Sequence, residues 1–300
     1  METNVGSRTA LDGNEAIERR CSALEHKNPL DLDAVDRAIA RIRDPQAVRE
    51  RLGAPLLYAQ RVEAEVAQLP IDVALPHAPD SFLGRFLRVW RPDEVGHGEA
   101  QERLLRSLDL EVSEAVTDDR LASHIAGLLG RVSTQAHAMI SMTYHVVGAM
   151  NEKLAMSAYQ AMATVASEIG EQELADVLFS PMRKDESMHL GFYRTYAREL
   201  GLELRPWQRR LVRALVVQTY APVGARREKH KPSFGRTLLV LEQDPDDPSI
   251  AALTQAIAED VLVDDGQTLP PFVRRAMVRC VASARVAERR EVADAVTSPK

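Results

Sequence analysis

The chain has 300 residues and a mass of 33.3 kDa; 45% of its residues are hydrophobic and 27% charged, enough for a substantial buried core and against wholesale disorder. A formal charge of -6 argues against a general nucleic-acid binder and favours small molecules or proteins as partners. Two cysteines, Cys21 and Cys280, exclude a disulfide scaffold and a cysteine-based zinc site. No apolar run approaches the length of a membrane span and the N-terminus lacks a signal-peptide core, so a cytoplasmic location is expected.

In chain order, residues 1–30 are polar and read as a flexible arm that ends near Pro29. From Asp31 the apolar periodicity predicts helices over 31–43, 46–69, 80–108, 118–131, 135–169, 171–201, 206–220, 249–262 and 269–294. Pro79 and Asp80 punctuate one helix start, Pro206 suits the first turn of another, and Gly170 separates the two longest central helices. Residues 221–248 read as an irregular connection, and strand-like runs such as Leu238-Leu239-Val240-Leu241 are few. The expected fold class is all-α, with a helical bundle over 31–220 and a helical extension over 221–300 packed on it.

Two segments share the pattern D-E-x-x-H: Asp93-Glu94-Val95-Gly96-His97 and Asp185-Glu186-Ser187-Met188-His189. Residues three apart on a helix are separated by about 60°, so the Glu and His of each pair project from one side and can ligate one metal ion. Two such helices, plus one Glu from each of two others, make the dinuclear carboxylate site of four-helix bundles. Mixed oxygen and nitrogen ligation suits two iron ions, with manganese the alternative. Eight His and 24 Glu predict about 0.6 E-x-x-H matches by chance, so one match means little, whereas two, each preceded by Asp, mean much more.

Position on the helix is an independent criterion. Phe82, Phe86, Val89, Trp90, Leu104 and Leu108 define an apolar face on which Glu94 and His97 fall; Leu178, Met182, Tyr193, Tyr196 and Leu200 do the same for Glu186 and His189. An inward carboxylate is costly unless paired, protonated or metal-bound, and the bland alternative is a metal-free Glu–His hydrogen bond on each helix. On the third helix Glu152 shares the apolar side with His145, Ala149, Met156 and Tyr159. The first helix offers Glu63 and Glu65, and the apolar direction set by Leu52, Leu56, Ala59, Val62 and Val66 favours Glu63. Glu63 precedes Pro70 by seven residues, whereas Glu94 lies fourteen beyond Asp80. Unless the connection climbs the bundle, their axial levels differ by roughly 10 Å, which leaves Gln60 and Tyr58 as alternatives at the ligand level.

Over about 45–200 the chain resembles the soluble acyl-carrier-protein desaturases of the ferritin-like superfamily. Trp90 to Gly98, W-R-P-D-E-V-G-H-G, is similar to that family's W-x-x-E-E-x-R-H-G. The step of 34 residues from Glu152 to Glu186 is close to the family's spacing, and Glu168-Ile-Gly-Glu-Gln-Glu-Leu-Ala-Asp resembles the turn before its last ligand helix. The resemblance implies Glu94, His97, Glu152, Glu186 and His189 as iron ligands; the family's first-helix carboxylate has no clean counterpart, and Glu63 is the candidate there from the apolar direction of the helix. Asp93 and Asp185 precede the ligand pairs, and Asp185 resembles an acceptor that fixes a ligand histidine. It further implies an oxygen-dependent di-iron enzyme that desaturates or hydroxylates an acyl chain, a homodimer working with acyl-carrier protein and an electron-donor protein. The chain departs from the pattern at Ala155, where the family has a threonine, and at Gly96, where it has an arginine; beyond residue 201 the likeness fades. Other readings are an oxygenase of another small metabolite, an iron-storage or peroxide-scavenging protein, and a non-catalytic bundle.

Further features carry two readings each. Pro92 and Pro181, inside the ligand helices, can open space beside a metal or be tolerated by packing. His145 is a core histidine or an additional ligand. The stretch Arg226-Arg227-Glu228-Lys229-His230-Lys231 is a solvated loop or a dock for an acidic carrier protein. Met139, Met142, Met150, Met156 and Met162 fill a core or line an alkyl tunnel.

Overall fold

The computed structural model describes residues 10–112, 120–242, 244–263 and 267–297. Residues 1–9 of the expected arm and the first two of the helix expected over 118–131 lie outside the described residues. Within them the fold is all-α, without strands, and no helix is long and apolar enough to cross a membrane.

The helices are α1 (Ala10–Glu25), α2 (Leu32–Ile39), α3 (Pro45–Val66), α4 (Ile71–Ala74), α5 (Phe82–Ser107), α6 (Arg120–Val132) and α7 (Thr134–Glu168). They continue as α8 (Gln172–Leu174), a π-helical turn (Ala175–Phe179), α9 (Ser180–Glu203), α10 (Pro206–Thr219), α11 (Lys231–Leu241), α12 (Ser249–Leu262) and α13 (Phe272–Thr297). Starts follow capping chemistry: Asp44 Oδ1 accepts from the Ala47 amide at 2.9 Å, Ser81 Oγ from Gly84 at 3.1 Å and Ser133 Oγ from Ala136 at 3.2 Å. After α7 the backbone turns through Gly170 at φ 86°, a conformation that favours glycine, and α8 begins.

Helices α3, α5, α9 and α7 contact one another in a ring, each touching the next. Apolar packing divides into two clusters along them. On α5 the switch falls between Trp90 and Ala100, and on α9 between Met182 and Phe192. The polar residues of the D-E-x-x-H segments occupy those two gaps. Gly148 lets α7 approach α9 there, because a Cβ on it would stand 2.7 Å from the buried Tyr193 ring.

Two expectations are corrected. Residues 10–25 of the arm form a helix: Ile17, Cys21 and Leu24, spaced i, i+4, i+7, bury one stripe against the bundle, and α1 contacts α9 and α5. The connection 221–248 contains α11, whose Phe234 and Leu238 are buried and which packs on α13 and α3; the strand-like run at 238–241 is its last turn. β-branched residues are scarce in that run, and an anchored apolar face four residues apart decides the outcome. Helix α10 packs on α7, and α12 lies against α7, α9 and α13.

Candidate metal centre

The six proposed ligands come from four helices: Glu63 from α3, Glu94 and His97 from α5, Glu152 from α7, Glu186 and His189 from α9. All are buried, and both histidines are wholly so. One donor atom from each of Glu63, Glu94, His97 and Glu186 lies within 4.8 Å of the others, and the same holds for Glu94, Glu152, Glu186 and His189. Glu94 and Glu186 belong to both groups, so the two groups share an edge.

On α3, Glu63 stands at the same axial level as the α5 motif. A Cβ on Gly98 would lie 3.5 Å from Glu63 Cβ, so the 67–81 connection brings the motif of α5 level with Glu63. Glu65 instead takes the Arg61 guanidinium at 2.8 Å, and Tyr58 donates to the Val223 carbonyl. Gln60 is buried, and its Oε1 has no hydrogen-bond partner among the described residues.

Around the cluster Glu63, Glu152 and both histidines are held by neighbours. The Tyr159 hydroxyl donates to Glu63 Oε1 and accepts from Gln101 Nε2 at 2.9 Å; Trp90 Nε1 donates to Glu152 Oε1 at 3.2 Å. The aspartates cross over: His97 Nε2 lies 3.2 Å from Asp185 Oδ2, and His189 Nε2 lies 3.0 Å from Asp93 Oδ2. Each imidazole therefore bonds outward through Nε2 to the aspartate of the other ligand helix. Their Nδ1 atoms point to the carboxylates, that of His97 3.1 Å from Glu186 Oε1 and that of His189 3.1 Å from Glu186 Oε2. Lys27 Nζ, just beyond α1, bridges both aspartates at 2.8 and 2.9 Å. Phe86 stacks on Phe192 with centroids 4.0 Å apart and meets His189 edge-on, closing one side of the cluster with hydrocarbon.

Electrostatics show the cost of this arrangement without a cation. Burial, reinforced by the charges of Glu63 and Glu186, pushes Glu94 well above the usual carboxylate range; burial and Glu186 do the same to Glu152. Burial also raises Glu63. For Glu186 burial works upward, but His189 and His97 outweigh it and hold the carboxyl down. Burial would lower His97, yet Asp185 and Glu186 prevail and lift it to about 10. His189 is raised similarly, by Asp93 and Glu186 against burial.

The residues fit a metal pair. Three buried atoms of the cluster, Glu94 Oε1, His97 Nδ1 and Glu186 Oε1, have no aligned hydrogen-bond partner, although His97 Nδ1 and Glu186 Oε1 are close. Four carboxylates and two imidazoles form an oxygen-rich, thiolate-free donor set, and a cation would offset the gathered negative charge. Neither Cys21 nor Cys280, both buried, belongs to these groups.

A cavity of about 590 Å³ reaches Glu63, Glu94, Glu152 and Glu186; its other walls are mainly apolar, including Met139, Ile140, Val147 and Leu215, with Arg226 also on the lining. A second cavity, about 800 Å³, lies along α3, α7, α11 and α12 and shares Val62, Glu63, Ala155 and Val223 with the first. Met139 lines the first and Met156 and Met162 the second, while Met142 and Met150 are core residues.

His145 is a core histidine: Nδ1 lies 2.7 Å from the Ser141 carbonyl, the ring stacks on Tyr196 at 4.3 Å, and neither donor group includes it. Burial pulls its pKa down to about 4. Pro92 lies within α5 and Pro181 in the first turn of α9, directly after the π-helical turn. Within the basic stretch, His230 Nδ1 lies 3.0 Å from Arg61 Nη1 and Lys231 pairs with Glu228. Sequence reasoning missed Lys27, Tyr159 and Gln101 as supports of the site; only the i, i+4, i+7 stripe of α1 hinted that the segment carrying Lys27 docks on the bundle. No protein-family model matches the chain, and neither the curated proteins nor the solved structures give a match to it.

Proposed function

We propose that the chain is a ferritin-like dinuclear metalloprotein that uses two iron ions in the oxygen-dependent oxidation of an apolar substrate. The observation that carries this reading is the pair of overlapping four-donor groups joined through Glu94 and Glu186. Bound iron supplies the redox chemistry with dioxygen. The chain's own residues do the rest. Asp93 and Asp185 keep the Nε2 protons of the histidines engaged, which leaves Nδ1 for the metal. Tyr159 and Trp90 orient Glu63 and Glu152, and the Phe86–Phe192 stack keeps water from that side.

The apolar cavity that opens on four carboxylates supports an organic substrate over a role in iron storage. The specific form we propose is desaturation or hydroxylation of an acyl chain presented by acyl-carrier protein, with electrons from a separate donor protein. A second form, oxygenation of another compact apolar metabolite, is favoured by Ala155, which stands where the desaturases carry threonine and where the two cavities meet. Oxygen uptake by the reduced, iron-loaded protein tests the reading. Uptake should rise with an acyl chain or a compact apolar compound and yield an oxidised organic product. Oxygen uptake that consumes only ferrous iron and leaves an iron mineral on the protein would contradict it.

A further inference from the structure

The D-E-x-x-H segments account for the ligands but not for the cation beneath them. Lys27 belongs to neither motif, and its side chain is only 8% exposed. It lies two residues beyond α1, where its backbone amide bonds the Leu24 carbonyl at 3.3 Å. Helix α1 is firmly seated. Ile17, Cys21 and Leu24 are buried in the core, Arg85 of α5 pairs with Glu18 and Glu25 at 2.7 Å each, and a Cβ on Gly13 would strike the Glu199 carboxylate of α9. The ammonium is thus delivered to a fixed point between α5 and α9.

At that point it meets two buried carboxylates at once, Asp93 Oδ1 at 2.8 Å and Asp185 Oδ1 at 2.9 Å. The other oxygen of each aspartate accepts from an imidazole, Asp93 from His189 and Asp185 from His97. One atom therefore closes a chain that runs His97–Asp185–Lys27–Asp93–His189 and ties the two copies of the motif together. Without it two carboxylates of like charge would face each other in a nearly dry space, and one of them would be protonated or turn away. Both contacts are ion pairs without aligned hydrogen bonds, so it is the compact charge of the ammonium that suits a place between two carboxylates.

We propose that Lys27 is the positioning residue common to both metal positions, a single cation from the N-terminal segment that fixes Asp93 and Asp185 and so sets the orientation of His97 and His189 together. This rests on the dinuclear reading above. It predicts that the two positions fail together, although Lys27 touches no ligand.

The test is Lys27→Met, which keeps the length and loses the charge, with Lys27→Gln as the second variant should the methionine fail to fold. Metal-free and metal-loaded proteins are compared. Loss of a group that orients metal-bound histidines costs about 10–100-fold in metal affinity, so both iron positions should weaken by that factor and to a similar extent. In metal-free protein labelled with ¹⁵N-histidine, the ring signals of both His97 and His189 should change their tautomer or protonation signature. In an Asp93→Asn/Asp185→Asn background the further loss of Lys27 should alter metal affinity less than twofold. Affinity retained within twofold at both positions, or a loss confined to one, with ring signals as in wild type, would overturn the proposal. If wild type itself takes up no metal, the dinuclear reading fails, and the ring signals alone then decide on Lys27.

Discussion

Asp93 sits next to Glu94 in the chain, yet its carboxylate lies 3.0 Å from His189 Nε2 on another helix. Asp185 returns the arrangement to His97. Each D-E-x-x-H segment thus supplies two candidate ligands to the cluster and the acceptor that faces the histidine of the other segment. The duplication is therefore a reciprocal unit, in which neither helix completes its own half.

The crossing makes a directional prediction. Asp93→Asn should weaken metal binding at the position served by His189, by about 10–100-fold, with less effect at that of His97. Asp185→Asn should do the reverse. Stepwise metal titration of the two variants, followed by ¹⁵N signals of the imidazoles, checks the assignment. An equal effect of Asp93→Asn on both histidines would contradict the independent role of each aspartate.

Metal uptake should release protons. In the metal-free cluster Glu94, Glu152 and Glu63 are raised by burial, and His97 titrates near 10 because Asp185 and Glu186 overcome its burial. At neutral pH His97 holds a proton that a metal must displace, and burial favours the protonated form of the three carboxyls, so affinity rises with pH, about tenfold per unit for each proton released. Calorimetric titration in two buffers of different ionisation enthalpy measures the number. A binding enthalpy independent of buffer would contradict the expectation.

His145 gives the fold a separate pH dependence. Its folded pKa of about 4 lies below its ordinary value near 6.5, through burial. The unfolded chain therefore takes up the proton first as pH falls. The stability tied to neutral His145 is complete above about pH 6.5 and is lost as pH drops towards 4, at a cost of about 3 kcal/mol. Urea unfolding of metal-free protein between pH 7 and 4 should show a steeper loss for wild type than for His145→Phe. Parallel curves would contradict this origin.

Much of the site was legible in sequence because the ligand pairs are local. A separation of three residues places Glu94 beside His97 and Glu186 beside His189 on any helix, and the apolar stripe of α7 points Glu152 inward. The register of Glu63 was not legible, since it depends on how the 67–81 connection returns the chain to α5. Lys27 was less so: its role exists only once α1 docks, and a polar segment with a narrow stripe at Ile17, Cys21 and Leu24 gives little sign of docking. The crossing of Asp93 to His189 is likewise a property of helix pairing that periodicity along one helix does not contain. Helix α11 was missed because a short apolar run has no period long enough to separate helix from strand.

The most direct test of the dinuclear centre is metal content together with melting temperature, with and without ferrous iron under anaerobic conditions, for wild type and Glu186→Ala. Wild type should carry about two irons per chain. Iron at a hundredfold excess over its Kd should stabilise it by about 2.7 kcal/mol for each position, seen as a raised melting temperature. Glu186→Ala, which removes a carboxylate common to both donor groups, should lose the iron and the iron-dependent rise. A wild-type protein that retains no transition metal, melts at one temperature whether or not iron is present, and is destabilised equally by Glu186→Ala in both conditions would show that the cluster is a structural Glu–His network, contrary to this account.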